Sequence, residues 1–177
     1  MRMFVAVWPS VEVVDCLKRL DRLPRGDMRW TTPEQWHVTL SFLGNDASAE
    51  CSKAALEQLD FASLRGALAE VGPATACFGR HVLYLPVGGL SRLASCVREA
   101  VPPAGHAAQP ATNSFTGHLT LARARGRTGD LRALAGMRFS ATWPVSSVTL
   151  VASTLAHTGA RYEVVASIPF PAPDVLG

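Results

Sequence analysis

The sequence predicts a fold of mixed strands and helices arranged as two similar lobes around a cleft. The first observation is a pair of His-x-Thr-x tetrads, at residues 37–40 and 118–121, each inside an apolar run typical of a strand. The second is that the same order of elements precedes both tetrads: Phe4 lies 33 positions before the first tetrad histidine, and Tyr84 lies 34 before the second. In each half a strand, a turn and an amphipathic helix lead to a tetrad. A pseudo-two-fold axis would therefore turn the two tetrads towards each other.

Alternation and helical spacing predict the individual elements. The predicted strands are residues 2–8, 67–78, 81–87, 138–145, 147–153 and 161–169, with the two tetrad runs and a short extended piece at 28–30. The predicted helices are residues 11–23 (capped by Ser10), about 46–59, 90–101 and a short one around 131–134. Residues 32–35 are predicted to form a capped turn, 104–116 a mobile loop and 157–160 a turn before the last strand.

Each tetrad strand is predicted to have one polar face and one core face. Side chains alternate along a strand, so His37 and Thr39 share a face while the apolar residues between them point the other way. The same parity pairs His118 with Thr120. A single His-x-Thr is an ordinary surface or packing pattern. Two copies with the same apolar filler in a short chain indicate a site.

Composition excludes several classes of protein. Of the 177 residues 48% are hydrophobic and 18% charged, which is typical of a globular chain with a core. No apolar run approaches the roughly 20 residues of a membrane span. The N-terminal run is too short for a secretory signal, so we expect a cytoplasmic protein. The four cysteines are scattered without a Cys-x-x-Cys pair, which favours free thiols over a zinc site or disulfide scaffold.

The net charge of +3 is too small to indicate non-specific nucleic-acid binding, but its distribution is uneven. Five arginines follow the second tetrad against a single acid, Asp130: Arg123, Arg125, Arg127, Arg132 and Arg138. Two interpretations stay open, a solvated basic face or an anion-binding rim beside the tetrad.

The motifs together resemble the 2H phosphoesterase superfamily, and within it the bacterial and archaeal RNA 2′,3′-cyclic phosphodiesterase family, also known as the 2′-5′ RNA ligase family. The matching residues are Arg2-x-Phe4-x-Ala6, Arg29-Trp30-x-x-Pro33-Glu34-x-x-His37-Val38-Thr39-Leu40-x-Phe42-Leu43-Gly44, His118-Leu119-Thr120-Leu121-Ala122-Arg123, Val148-x-Leu150-Val151-x-Ser153-x-Leu155 and Gly159-Ala160-x-Tyr162. The resemblance implies an α+β bilobal fold with two antiparallel sheets around a central cleft, formed by one domain over residues 1–177. It also implies catalysis by the two tetrads without a metal or cofactor, in a monomer whose partner is RNA ending in a 2′,3′-cyclic phosphate.

The resemblance also suggests roles for the candidate site residues. His37 is the expected general acid for the departing ribose 3′-oxygen, and His118 the expected general base for water, leaving a 2′-phosphomonoester; run in reverse with a 5′-hydroxyl, the site would form a 2′-5′ linkage. The symmetry of the tetrads leaves open which histidine does which. Thr39 and Thr120 are candidates to donate to the non-bridging oxygens. Arg123 is a candidate phosphate clamp, although strict alternation points it away from His118 unless a bulge or strand end turns it inward.

Other candidates and functions also stay open. Five aromatic residues are candidates for stacking on a base, although most are expected in the core: Phe4, Trp30, Phe42, Phe115 and Tyr162. A related enzyme acting on a small cyclic nucleotide or on ADP-ribose cyclic phosphate is the nearest alternative function. The alternative from another class is a non-catalytic module that binds RNA ends.

Overall fold

The computed structural model describes residues 2–103, 115–126, 128–156 and 159–170. Within them the fold is α+β, as predicted. The strands are β1 Arg2–Val7, β2 Met28–Trp30, β3 Val38–Gly44, β4 Leu68–Val71, β5 Ala76–Phe78, β6 Val82–Gly88, β7 His118–Ala124, β8 Ala141–Pro144, β9 Ser147–Ala156 and β10 Gly159–Pro169. The helices are α1 Val11–Lys18, α2 Ala49–Glu57 and α3 Ser91–Ala100, with short 3-10 turns at Pro33–Gln35 and Arg132–Leu134.

Several predicted elements are shorter than expected, and local chemistry explains one of them. The strand predicted over 67–78 is split into β4 and β5, because Gly72 has a φ of 113° and Pro73 has no N–H for a ladder. The helix predicted over 11–23 ends at Lys18. The predicted cap is present: Ser10 Oγ accepts from the Val13 N–H. Most of the predicted 104–116 loop and part of the 157–160 turn lie outside the described residues.

The strands form one curled antiparallel sheet made of two halves. Its order is β10-β9-β1-β3-β7-β6-β4-β8, with β2 also pairing with β7 and β5 with β6. The halves meet where β3 pairs with β7 through Val38 and Leu119. The resemblance implied two sheets, whereas this pair makes them continuous. The first half contributes the first tetrad strand, and the second half contributes the other.

Both tetrad strands contain a bulge at the same position. In the β1–β3 ladder Leu40 is skipped, because Val5 pairs with Ser41 and Ala6 with Thr39. In the β6–β7 ladder the skipped residue is Leu121, three positions after its histidine as Leu40 is after His37. A bulge places two consecutive side chains on one side and shifts the alternation beyond it.

The buried side chain of Thr31 links β7, in the second half of the sheet, to Trp36, which precedes β3 in the first half. Its Oγ1 lies 2.8 Å from the carbonyl oxygens of both Thr120 and Leu121 in β7 and donates to them, and it accepts from the Trp36 Nε1–H at 3.0 Å. Trp36 is completely buried immediately before His37. The start of the first tetrad is thereby held to the second tetrad strand.

Replacing Thr31 by Val is expected to destabilise the fold by about 1–3 kcal/mol, because it leaves the buried Trp36 Nε1–H without its acceptor. The free energy of unfolding by urea measures this. Thr142→Val, on the exposed face of β8, is the matched control and should change stability by less than about 0.5 kcal/mol. An equal effect of the two substitutions would contradict the role of Thr31.

Candidate active site

The two tetrads face a single cleft of about 430 Å³. All five candidate site residues line it: His37, Thr39, His118, Thr120 and Arg123. The structure thus brings together residues that are 86 positions apart along the chain at their extremes. The remaining lining residues are Arg2, Phe4, Arg29, Thr31, Gln35, Phe42, Ser153, Ala160 and Tyr162.

The two histidine rings are held by the same backbone contact. His37 Nδ1 lies 2.8 Å from the carbonyl oxygen of Gln35, and His118 Nδ1 lies 3.0 Å from that of Thr116, two residues upstream in each case. A carbonyl oxygen only accepts, so Nδ1 carries the proton in both rings. Nε2 is therefore the nitrogen left to a ligand at both positions, as a base when the ring is neutral and as an acid when it is charged.

The turn before His37 is itself anchored to the first half of the sheet. Gln35 Oε1 accepts from the Thr32 N–H, and its Nε2 donates to the Ala160 carbonyl of β10 at 2.8 Å. This confirms the predicted capped turn at residues 32–35, which forms a 3-10 segment. The two hydrogen bonds of its side chain hold Gln35 in place, and with it the carbonyl group that orients His37.

Aromatic rings enclose His37. Phe4 stacks on it with ring centroids 4.9 Å apart, Trp8 lies at 5.3 Å, and Tyr162 meets it edge-on at 4.9 Å. The pKa of His37 is lowered from 6.5 to about 4, mainly by burial among these rings; the hydrogen bond to Gln35 opposes the shift, and the positive charges of His118 and Arg123 add to it. His37 is therefore neutral at neutral pH in the ligand-free cleft.

His118 has a more open aromatic environment. The Phe78 ring lies 5.0 Å away and the Tyr84 ring 5.8 Å away, both nearly perpendicular to the imidazole. Phe78 and Tyr84 stack on each other at 3.9 Å. Neither of them is among the residues that line the cleft.

The paired bulges decide which side chains follow the tetrads into the cleft. Leu121 and Ala122 are consecutive buried residues, so Arg123 returns to the face of His118, which is the rearrangement that its candidate role required. In the first tetrad strand the equivalent residue is Phe42, which is 46% exposed. The cleft therefore has a guanidinium on one wall and an aromatic ring at the matching place on the other.

The cleft is positively charged. Arg2, Arg29 and Arg123 line it, and no Asp or Glu is among its lining residues. Arg29 and Arg123 are directly opposed in the β2–β7 ladder. The arrangement suits an anion with more than one negative charge.

The predicted basic rim is only partly a feature of the cleft. Arg123 is the member of that run that lines it, whereas Arg132 forms an exposed ion pair with Asp130 at 2.6 Å. Arg127 lies outside the described residues. The solvated-face interpretation therefore applies to Arg132.

Sequence reasoning named some cleft residues and missed others. Arg2, Arg29, Gln35 and Ser153 were not candidate site residues, although Arg2, Arg29 and Ser153 stand in the motifs that carry the resemblance. Of the predicted stacking residues, Phe4 is in the cleft wall but only 4% exposed. Trp30 and Phe115 do not line the cleft: Trp30 Nε1 donates to the Leu23 carbonyl, and Arg98 covers Phe115.

The described residues contain no group of three or more His, Cys, Asp or Glu side chains placed to hold a metal ion. No helix among them is long and apolar enough to cross a membrane.

Solved structures share this fold over nearly the whole chain. TT0787 of Thermus thermophilus matches with a TM-score of 0.75 and 26% identity, covering 96% of this chain and 98% of that one. LigT of E. coli complexed with ATP matches at 0.62 and 25% identity, covering 97% and 98%. LigT complexed with 3′-AMP matches at 0.67 and 20% identity, also covering 97% and 98%. No family model and no curated protein matches the sequence.

The α+β fold, with its curled antiparallel sheet and central cleft, is that of the LigT-like 2H phosphoesterases. This fold fits the 2H phosphoesterase superfamily, which the sequence motifs predicted.

The imidazole of His37 is expected to titrate with a midpoint near pH 4 in the ligand-free protein. Because the unfolded chain takes up this proton near 6.5, stability is lost as the pH falls from 6.5 to 4, by about 3 kcal/mol from this group. NMR titration of the histidine ring protons measures the midpoint, and His37→Gln assigns the signal. His37→Gln should lose less stability than the unmodified protein between pH 6.5 and pH 4. A midpoint near 6.5 for His37 would refute the desolvation of this imidazole.

Proposed function

We propose that this protein hydrolyses RNA 2′,3′-cyclic phosphate ends to 2′-phosphomonoesters, without a metal, as a cytoplasmic monomer. In this proposal one domain of two pseudo-symmetric lobes supplies one tetrad from each lobe. The observation that carries it is the pair of histidines held identically by Nδ1 at one acid-free cleft. Two imidazoles can supply a base for the attacking water and an acid for the leaving oxygen of a diester.

In the proposed reaction the phosphate lies between the two Nε2 atoms. His118 Nε2 takes a proton from water, the water oxygen attacks phosphorus, and the bond from phosphorus to O3′ breaks while His37 Nε2–H protonates O3′. Thr39 and Thr120 donate to the non-bridging oxygens, and Arg123 clamps the charge that builds on them. A 5′-hydroxyl in place of water would yield a 2′-5′ linkage by the same proton transfers.

The low pKa of His37 bears on this assignment. His37 is neutral in the empty cleft, and an acid must be protonated. A bound phosphodiester brings a negative charge against the ring, which raises the pKa. The competing assignment, with His37 as base and His118 as acid, requires no such change at His37. Both assignments give a bell-shaped dependence of kcat/KM on pH with an acidic limb near pH 4, because the bell belongs to the pair.

The likeness to LigT supports a nucleotide-sized anion as the ligand. LigT has been crystallised with ATP, and that structure is 25% identical to this chain over nearly its full length. ATP and an RNA end share a base, a ribose and phosphate charge. A small cyclic nucleotide or ADP-ribose cyclic phosphate therefore remains the alternative substrate, and a module that only binds RNA ends remains the alternative of another class.

The purified protein, in EDTA, is expected to convert a short RNA ending in a 2′,3′-cyclic phosphate to the 2′-phosphate product. His37→Ala and His118→Ala should each lower kcat by roughly 10²–10⁴-fold, because each removes one proton-transfer group. Chromatography that separates 2′- from 3′-phosphate ends measures rate and regiochemistry.

Each outcome of this assay separates the candidate functions. Loss of activity in EDTA with recovery on adding a divalent ion would refute the metal-free mechanism. Turnover of cyclic mononucleotides or ADP-ribose cyclic phosphate, but not of RNA, would favour the alternative substrate. Binding of RNA by the unmodified protein without turnover of any of them would favour the module.

The leaving group distinguishes the two histidines. In a cyclic substrate with sulfur in place of O3′, the sulfur leaves as a thiolate and needs no acid to protonate it. His37→Ala should therefore hydrolyse this substrate at most of the unmodified protein's rate. His118→Ala should stay slow, since water still needs its base. The reverse pattern, measured by the same initial rates, would exchange the roles of the two residues.

A further inference from the structure

We infer that Phe78 and Tyr84 form an aromatic shelf that stacks on the base of the nucleotide preceding the terminal one. The substrate is then a single RNA strand of two or more nucleotides. The inference rests on the proposed function, because it places the reacting phosphate between His37 and His118.

The shelf is open and borders the second histidine. One face of the Phe78 ring lies on Tyr84, at 3.9 Å and an interplanar angle of 12°, and the residue is still 40% exposed. The same ring is 5.0 Å from the imidazole of His118. A base laid on Phe78 would therefore extend a stack that Tyr84 already begins, directly beside a residue at the reacting phosphate.

The sheet carries the shelf on the same face as the tetrad. Tyr84 is the cross-strand partner of Thr120, and Val82 is that of Arg123, so alternate residues of β6 continue the surface formed by alternate residues of β7. Phe78 ends β5, which pairs with β6 at the edge of this surface. The cleft floor thus runs outward from His118 to the shelf without a change of face.

Phe4, the ring that stacks on His37, is not available to a base in the same way. Phe4 is 4% exposed beneath the imidazole, and its ring also meets Tyr162 at 5.4 Å. These rings enclose His37 and lower its pKa, as described above. At His118 the ring of Phe78 is not covered in this way by any of the described residues, so it is accessible to a ligand.

The terminal base has its own position inside the cleft. Phe42 lines the cleft and is 46% exposed, whereas Phe78 and Tyr84 lie beyond the lining residues. The terminal nucleoside, which carries the reacting phosphate, therefore stacks on Phe42. The shelf outside the cleft is left for the next nucleotide of the strand.

The charge of the cleft agrees with a longer ligand. One phosphodiester carries a single negative charge, whereas three arginines, Arg2, Arg29 and Arg123, line the cleft without an acid among the lining residues. A strand of two nucleotides adds a second phosphate between the two bases. Aromatic stacking combined with a positive groove is the usual means of holding single-stranded RNA without reading its sequence.

The test compares three cyclic-phosphate substrates: a mononucleotide, a dinucleotide, and a dinucleotide that lacks the base of its first nucleotide. The unmodified protein should have a kcat/KM roughly tenfold or more higher for the intact dinucleotide than for the abasic one. Phe78→Ala should remove that advantage, so that the ratio of kcat/KM for the intact dinucleotide to that for the abasic one falls to about one. Phe78→Trp should restore it. Leu68→Ala, at a β4 residue with the same 40% exposure, is the control and should change none of the three.

Two results would overturn the shelf. An equal loss on all three substrates would mean that Phe78 only supports His118, and an effect confined to ligation would place an incoming 5′-hydroxyl strand there. If the proposed function itself is wrong, the unmodified protein will turn over none of the three substrates, and binding is measured instead. The same variants are then compared by Kd for the intact and abasic dinucleotides ending in a 2′-phosphate. Equal Kd values of the unmodified protein for the two ligands would refute the shelf independently of catalysis, whereas in Phe78→Ala equal values are expected.

Discussion

The paired bulges at Leu40 and Leu121 control which side chains meet at the cleft. Each bulge follows a histidine and a threonine that already share a face, and each shifts the alternation by one residue beyond them. The shift buries two consecutive residues and returns the next one to the cleft. Without it, Phe42 and Arg123 would point into the core side of the sheet, and the cleft would lose one aromatic and one cationic wall.

The two bulges occupy matched positions but bring different side chains to the two sides of the cleft. The backbone of the two tetrad strands is alike, down to the Nδ1 contact two residues upstream, but the residue that each bulge delivers differs. A symmetric scaffold can in this way bind an asymmetric ligand, with charge on one side and a base on the other. The surroundings of the histidines differ as well, because Phe4, which stacks on His37, is 4% exposed, whereas Phe78, which meets His118, is 40% exposed.

The protonation state of His37 follows from its burial and from the charges that line the cleft. Burial is the main cause of the low pKa of His37, because a charge is poorly solvated among aromatic rings, and the positive charges of His118 and Arg123 lower it as well. No carboxylate is among the lining residues to offset these charges. The empty site is consequently held in a neutral state at His37, and an anionic ligand relieves the repulsion when it binds.

The sequence by itself determined the type and order of most elements, though not all of their bounds, together with the tetrads and the resemblance, because period-2 alternation and the residues of a motif are local properties. Parity alone placed His37 with Thr39 and His118 with Thr120 on polar faces. Only the tertiary structure decided that Arg123 reaches the cleft, because a bulge depends on the register with a neighbouring strand, and no local pattern encodes it. The enclosure of His37 likewise requires Phe4 and Trp8 from the N-terminal stretch and Tyr162 from the last strand, which are far apart along the chain. Its pKa is therefore a property of packing, which the identity of the residue cannot supply.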